Sequence, residues 1–147
     1  MRTQLILAVS CLLASAGFAA DPQPDVLKVS VSGAKNDTGH IGCALFRSPL
    51  GFPFEDGRAM RLQDVNISHG RGECTFNGLP NGNYAIAVMH DENNNAKLDT
   101  NFFGIPTEGF GFSNGAKAHA FSPASFEEAR FSYAGGAATQ TVSITYR

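Results

Sequence analysis

Oxygen-bearing side chains recur at every second position in one polar stretch of the chain. Asp91, Asn93 and Asn95 stand two residues apart, and Asp99 follows four residues later. Calcium takes roughly six to eight oxygen ligands, and carboxylates and amides at this spacing on a tightly turning loop point into one centre. The main-chain carbonyl of Lys97 falls at the seventh place of such a loop. The spacing therefore predicts a calcium-binding loop.

The stretch departs from an EF-hand in three respects. A strand pattern precedes it in place of a helix, Ala96 stands where glycine makes the turn, and Phe102 stands where a bidentate glutamate is usual. A left-handed alanine costs about 1 to 2 kcal/mol. We therefore expect Asn94 or Asn95 to take up the turn.

A further carboxylate is needed to complete a calcium site. We expect Glu108, folding back over the loop, or else Glu92 to supply it. The expected dissociation constant is then roughly 10⁻⁴ to 10⁻³ M, the range of extracellular modules. The alternative is a turn whose Asn and Asp side chains bond their own backbone and bind nothing.

A second pattern, Gly-x-Ser-x-Gly at residues 111–115, matches the nucleophile motif of hydrolases. That motif needs a strand, a sharp turn and a helix, with an acid and then a histidine after the serine. No Asp or Glu lies between Ser113 and His119, so a chance match is favoured. A small hydrolase or metal-dependent enzyme using Glu108, His90 and Ser113 is kept as the alternative to a protein without enzymatic activity.

Aromatic and polar side chains crowd the glycine-rich segment 102–115. They define a candidate binding loop for a sugar or a peptide, although packing as a lid on the core is the commoner use, and the absence of Trp weakens the sugar interpretation. The candidate residues are Phe102, Phe103, Phe110, Phe112, Ser113 and Asn114.

The first 19 residues predict a secretory signal peptide. An apolar run at residues 5–13 follows a basic start, and Gly17 and Ala19 place small residues before a cleavage point after Ala19. The run is too short to span a bilayer. Acylation of Cys11, as in a lipoprotein, is the minor alternative. We expect a periplasmic or secreted protein.

The mature chain, residues 20–147, is long enough for a single domain. Without Arg2 it has 10 Lys and Arg against 13 Asp and Glu, a net charge of −3, which excludes a basic nucleic-acid footprint. Its two cysteines, Cys43 and Cys74, predict one disulfide in an oxidising compartment. No later segment is apolar enough to cross a membrane.

Alternation of apolar and polar residues predicts about seven short strands that position these residues. Such a pattern, with no substantial helix, is typical of an antiparallel β-sandwich, and the segment 102–115 is predicted as one long loop. The predicted strands are 26–32, 40–47, 62–68, 73–76, 84–89, 130–133 and 139–146.

Three successive segments carry a resemblance to a known family. The sequences GLPNGNYAIAV at 78–88, HDENNNAKLD at 90–99 and GIPTEGFGFSN at 104–114 resemble the signature of DUF2141, a family of uncharacterised secreted bacterial proteins. The resemblance covers most of the mature chain, with Ala96 departing from an expected glycine. It implies an exported domain with a sandwich similar to prealbumin-like or Ig-like folds, and it implies no activity.

These features together predict a non-enzymatic secreted or periplasmic binding or structural module with a calcium-ordered loop. The predicted cofactor is Ca²⁺, and no partner is indicated beyond a place in the cell envelope.

Overall fold

The computed structural model describes residues 24–147, so the predicted signal peptide, its cleavage point and Cys11 lie outside the described residues. Eight strands in this region form two sheets, which confirms the predicted all-β sandwich. The strands are β1 (Val26–Ser32), β2 (His40–Phe46), β3 (Arg61–Asn66), β4 (Arg71–Asn77), β5 (Gly82–Asp91), β6 (Gly109–Phe112), β7 (Phe131–Tyr133) and β8 (Ala137–Ser143). Short 3₁₀ turns at Asp56–Arg58 and Ser113–Gly115 and one helical turn, α1 (Phe126–Ala129), complete the elements.

The smaller sheet has the order β4-β1-β8, and the larger sheet has the order β3-β2-β5-β6, with β7 also paired to β5. All pairs are antiparallel except β1 and β8, which run parallel, so the predicted antiparallel pairing needs this one correction. Parallel neighbours require a long connection. Here nearly the whole domain separates the two strands.

Alternate residues of both sheets point into a shared apolar core, because side chains of a strand alternate between its two faces. The Cys43–Cys74 disulfide crosses this core from β2 to β4, with a Cα–Cα distance of 6.6 Å, as predicted. The largest fully buried apolar side chains of this core include Leu27, Val29, Ile41, Leu45, Tyr84 and Ile86.

A second, smaller core covers part of the outer face of the larger sheet. The rings of Phe46 and Phe52 have centroids 5.3 Å apart, and Phe126 of α1 lies 5.9 Å from Phe52. Strand β5 is therefore apolar on both faces. The remainder of this outer face is left open.

Strand β6 lies inside the segment that the sequence predicts as one long loop, so that prediction is wrong for four residues. Its glycines and phenylalanines alternate. A Cβ atom on Gly109 would lie 2.5 Å from Ile144 Cγ2, and one on Gly111 would lie 2.5 Å from the Ser143 carbonyl oxygen. Glycine is thus required where the chain's end packs on β6, although it is generally depleted in strands.

Candidate functional site

The predicted calcium loop begins at Asp91, the last residue of β5. This carboxylate is fully buried; Oδ1 accepts the N–H of Asn95 at 3.1 Å, and Oδ2 accepts the N–H of Ala96 at 2.7 Å. Asn94 takes a left-handed turn with φ 58°, as expected. Ala96 is also left-handed, with φ 59°. The sequence predicts that an asparagine takes this conformation in place of Ala96, so that prediction is wrong for Ala96.

A charge-assisted hydrogen bond explains the left-handed alanine. Such bonds contribute roughly 1.5 to 3 kcal/mol. The left-handed conformation costs about 1 to 2 kcal/mol. The bond from Ala96 to Asp91 can therefore offset the strain.

Three side chains of the loop converge at its exposed side. The amide nitrogens of Asn93 and Asn95 donate to the two carboxylate oxygens of Asp99 at 2.6 Å and 2.9 Å. The Asn93 Oδ1 atom accepts the N–H of Asn95 at 3.1 Å, and the Asn95 Oδ1 atom accepts the N–H of Lys97 at 2.9 Å. Each amide oxygen keeps one lone pair. Four of the predicted ligand residues and the backbone of Lys97 are thus brought into one turn.

Glu108 connects the two ends of the loop. It is 5% exposed, and its Oε1 and Oε2 atoms accept the backbone N–H groups of Glu92 at 2.9 Å and Asp99 at 3.0 Å. One carboxylate therefore joins the start of the loop to its end. Its service as a metal ligand stays a prediction. Within residues 24–147 no group of three or more His, Cys, Asp or Glu is arranged to hold a metal, and the converging set here is mainly amide.

The carboxylate of Glu92 is directed elsewhere. Lys35 Nζ lies 2.7 Å from its Oε1 atom, and Asn36 donates to its Oε2 atom at 3.3 Å. The hydrogen bond from Lys35 is the main reason that the pKa of Glu92 lies below its ordinary value. Glu108 is therefore the better placed of the two carboxylates that the sequence suggests.

His90 and Ser113, which the enzyme hypothesis would use, are both fully buried in structural contacts. The His90 Nε2 atom lies 2.8 Å from the Thr38 carbonyl oxygen, and because a carbonyl only accepts, Nε2 carries the hydrogen. The Nδ1 atom lies 2.6 Å from the Tyr146 hydroxyl oxygen. Ser113 Oγ donates to the Ala129 carbonyl at 2.6 Å. These contacts do not link the serine to the histidine.

Comparison with known proteins adds a family to this geometry. The model of the family described as "Uncharacterized protein conserved in bacteria (DUF2141)" matches residues 29–141. The chain belongs to the DUF2141 family. The match spans the sandwich from β1 into β8 and includes the whole loop and both disulfide cysteines. No curated protein and no solved structure matches the chain.

The four phenylalanines of the candidate binding loop in this DUF2141 domain divide into two groups. Phe110 and Phe112 are each 3% exposed and belong to the outer core. Phe102 and Phe103 are 97% and 82% exposed at the tip of the turn that precedes β6. Asn101 fixes that tip, because its Oδ1 atom accepts the N–H of Phe103 at 2.9 Å. Asn114, the last predicted residue, is exposed and donates to the Glu128 carbonyl at 3.0 Å.

The sequence gives no indication that His40 belongs to the loop. Strand pairing sets His40 opposite Asp91, and its Nδ1 atom lies 2.7 Å from Asn94 Oδ1. Its Nε2 atom has no hydrogen-bond partner and lies 3.4 Å from Asp64 Oδ1 and 3.5 Å from Asp91 Oδ2. Only the register of β2 against β5 reveals this neighbour.

A groove of about 840 Å³ lies over the open outer face of the larger sheet. Its floor consists of Gly42, Ala44 and Ala87, and its walls come from segments 53–64, 96–106 and 118–123. The signal in the sequence is the run of small residues at the outward positions of β2 and β5. No helix in the described part of the DUF2141 domain is long and apolar enough to cross a membrane.

Proposed function

We propose that this DUF2141 domain is a non-enzymatic binding or structural module, exported to the periplasm or secreted, whose loop is ordered by calcium. One observation carries the proposal: the side chains of Asn93, Asn95 and Asp99 converge at the exposed side of the loop. The Asn93 and Asn95 side-chain nitrogens lie 2.6 Å and 2.9 Å from the Asp99 carboxylate oxygens. Carboxylate and amide oxygens are the ligands that calcium prefers.

In the proposed site, the ion would take the position beside Asp99 that the side-chain N–H groups of Asn93 and Asn95 now occupy. A bound ion would bond to the Asp99 carboxylate and to the Oδ1 atoms of Asn93 and Asn95, displacing the two hydrogen bonds to Asp99. The amide oxygens already face the interior of the turn, where each accepts a backbone N–H. Ion binding therefore requires local side-chain adjustment and leaves the backbone of the loop in place.

The charge of the loop favours a cation. Asp91 and Glu108 are buried carboxylates whose oxygens accept neutral backbone N–H groups, and Asp99 adds a third negative charge. Buried charges in proteins are usually paired or coordinate metals. The nearest cationic candidate to Asp91 is His40, at 3.5 Å. Calcium would offset this concentration of negative charge.

Preorganisation supports the same function. Asp91 holds the turn from inside, and Glu108 fixes its two ends, so little ordering remains to oppose ion binding. The bound ion would then stiffen the exposed side of a loop whose buried side is already fixed. That stiffness would be transmitted to Leu98 and Thr100, which border the groove.

Export is supported by two features of the chain. The apolar run at residues 5–13 has the length and flanks of a secretory signal. The Cys43–Cys74 disulfide is of a kind that persists in oxidising compartments and is rare in the cytoplasm.

Thermal unfolding with and without calcium tests the proposal. For a dissociation constant of roughly 10⁻⁴ to 10⁻³ M, about 10 mM calcium should stabilise the fold by about 1.4 to 2.7 kcal/mol, and magnesium at equal concentration should do less. Asp99→Asn keeps the side-chain shape and should abolish the gain. Asp56→Asn, outside the loop, should keep it. An unchanged unfolding temperature of the wild type in calcium would contradict the proposal.

A further inference from the structure

The groove over the larger sheet exists because its floor residues are small. Pairing places Gly42 beside Met89 and Ala44 beside Ala87, so these four outward positions form two adjacent rows. The Ala44 and Ala87 side chains are 7% and 6% exposed. Larger residues at these positions would fill the space above the sheet. The sandwich core lies on the opposite face of the sheet and is formed by the alternate residues of β2 and β5.

The rim of the groove is apolar and exposed. Three separate segments contribute Phe54, Phe103 and Phe121, which are 47%, 82% and 101% exposed, and Leu62 of β3 is 55% exposed. Apolar surface that is contiguous and exposed marks interaction sites. A volume of about 840 Å³ falls within the roughly 300 to 1,000 Å³ of small-molecule sites. The geometry suits a small apolar ligand.

One end of the groove is acidic. Asp56 and Asp64 line it at the β3 side, and Asp56 forms no ion pair with any residue in 24–147. Burial, and secondarily the negative charge of Asp64, raises the pKa of Asp56 above its ordinary value. A carboxylate in this setting lacks both full hydration and a counter-charge. A cation placed beside it would supply the missing partner.

The cationic residues that border the groove are differently placed. The Arg147 guanidinium donates to the carbonyl oxygens of His119 and Ala120, the latter at 2.9 Å. Lys97 is exposed at the outer edge. Among the residues that line the groove, negative side-chain charge is confined to Asp56 and Asp64. From β3 to β6 the sheet spans three strand spacings, about 14 Å, which gives an elongated ligand a defined direction.

We propose that the groove binds a small amphiphile that has one apolar chain and a protonated amine headgroup. The chain lies over Ala44 and Ala87, between the walls that carry Leu62 and Phe103, and the amine lies at Asp56 and Asp64. This site goes beyond the calcium proposal, because none of the carboxylates or side-chain amides of the loop lines the groove.

Calorimetric titration with three matched eight-carbon probes tests the proposal. Octylammonium, octanol and octanoate differ only in the headgroup. Octylammonium should bind about tenfold more tightly than octanol, an attraction of about 1.4 kcal/mol, with octanoate weakest. Absence of octylammonium binding, or octanoate binding as tightly as octylammonium, would overturn the proposal.

Variants separate the charge from the apolar chain. A variant combining Asp56→Asn and Asp64→Asn should reduce octylammonium affinity to that of octanol, and a retained preference would count against the amine site. Ala87→Phe should abolish binding of all three probes by filling the floor. Phe103→Ser, at an exposed position, gives an independent check without a core change and should weaken all three. In calcium-free buffer, Asp99→Asn should leave probe affinities unchanged, so a failure of this proposal is distinct from a failure of the calcium proposal.

Discussion

The fully buried carboxylate of Asp91 holds Ala96 in a left-handed conformation. The backbone N–H of Ala96 donates to Asp91 Oδ2 at 2.7 Å, and the φ angle of Ala96 is 59°. An anionic acceptor fixed at the end of a central strand therefore determines the turn. An alanine can occupy the place of a glycine because this bond offsets the strain.

Ala96→Gly should raise the free energy of unfolding by about 1 kcal/mol. Glycine removes the cost of about 1 to 2 kcal/mol of the left-handed conformation. Its greater conformational entropy in the unfolded state offsets part of this gain. Ala116→Gly is the matched control, because Ala116 has φ −62° and glycine there should lower stability by roughly 0.5 to 1 kcal/mol. Urea denaturation measures both, and a destabilised Ala96→Gly variant would contradict the strain argument.

The sequence predicts the fold well where side chains alternate and poorly where glycine replaces them. The apolar run from Tyr84 to Met89 indicates a central strand, and the strand is buried on both faces, as is its neighbour β2. Strand β6 escapes prediction because Gly109 and Gly111 are required by the packing of distant Ile144 and Ser143. Such a requirement is a property of the assembled fold and leaves no local pattern.

The candidate site divides in the same way. Spacing alone brings Asp91, Asn93, Asn95 and Asp99 into one turn, and Glu108 folds back to it as expected. The approach of His40 depends on strand register. The groove forms because small residues of β2 and β5 lie side by side and leave space above the sheet. The sequence of one strand does not show which residues lie beside it.

Glu108→Gln should destabilise the domain by roughly 1 to 3 kcal/mol. A carboxamide has one accepting oxygen, so one of the partly buried N–H groups of Glu92 and Asp99 would lose its acceptor. Glu127→Gln, at a side chain that is 67% exposed, should change stability by less than about 0.5 kcal/mol. Equal effects of the two substitutions would show that Glu108 does not clamp the loop.

Hydrogen bonds at α1 set the titration of Glu128. Bonds from the Ser125 backbone N–H and hydroxyl, and from His119, lower its pKa from the ordinary 4.5 to about 2. A folded-state pKa below the unfolded value means that this contribution is present above pH 4.5 and is lost as pH falls toward about 2. Carboxyl ¹³C NMR should give a pKa near 2, and Ser125→Ala should raise it. An identical pKa in the variant would refute the contribution of the Ser125 hydrogen bonds to the low pKa of Glu128.

The disulfide should make a large contribution to stability. It links residues separated by 31 positions, and on the chain-entropy model a loop of this length contributes roughly 3 to 4 kcal/mol. A variant combining Cys43→Ala and Cys74→Ala should lose at least that amount in denaturant unfolding, because both side chains are also buried. Reduction of the wild type is the control, because it breaks the disulfide and keeps both cysteine side chains. A loss of unfolding free energy below about 1 kcal/mol on reduction would contradict the prediction.

The side-chain amide resonances of Asn93 and Asn95 report most directly on calcium binding. Because a bound ion would displace their hydrogen bonds to Asp99, both resonances should shift saturably in ¹H–¹⁵N spectra, with a midpoint of roughly 10⁻⁴ to 10⁻³ M calcium. The side-chain amide resonance of Asn83, at the end of β5 away from the loop, should stay fixed. Unchanged Asn93 and Asn95 resonances in the folded wild type at about 10 mM calcium would contradict calcium ordering of the loop.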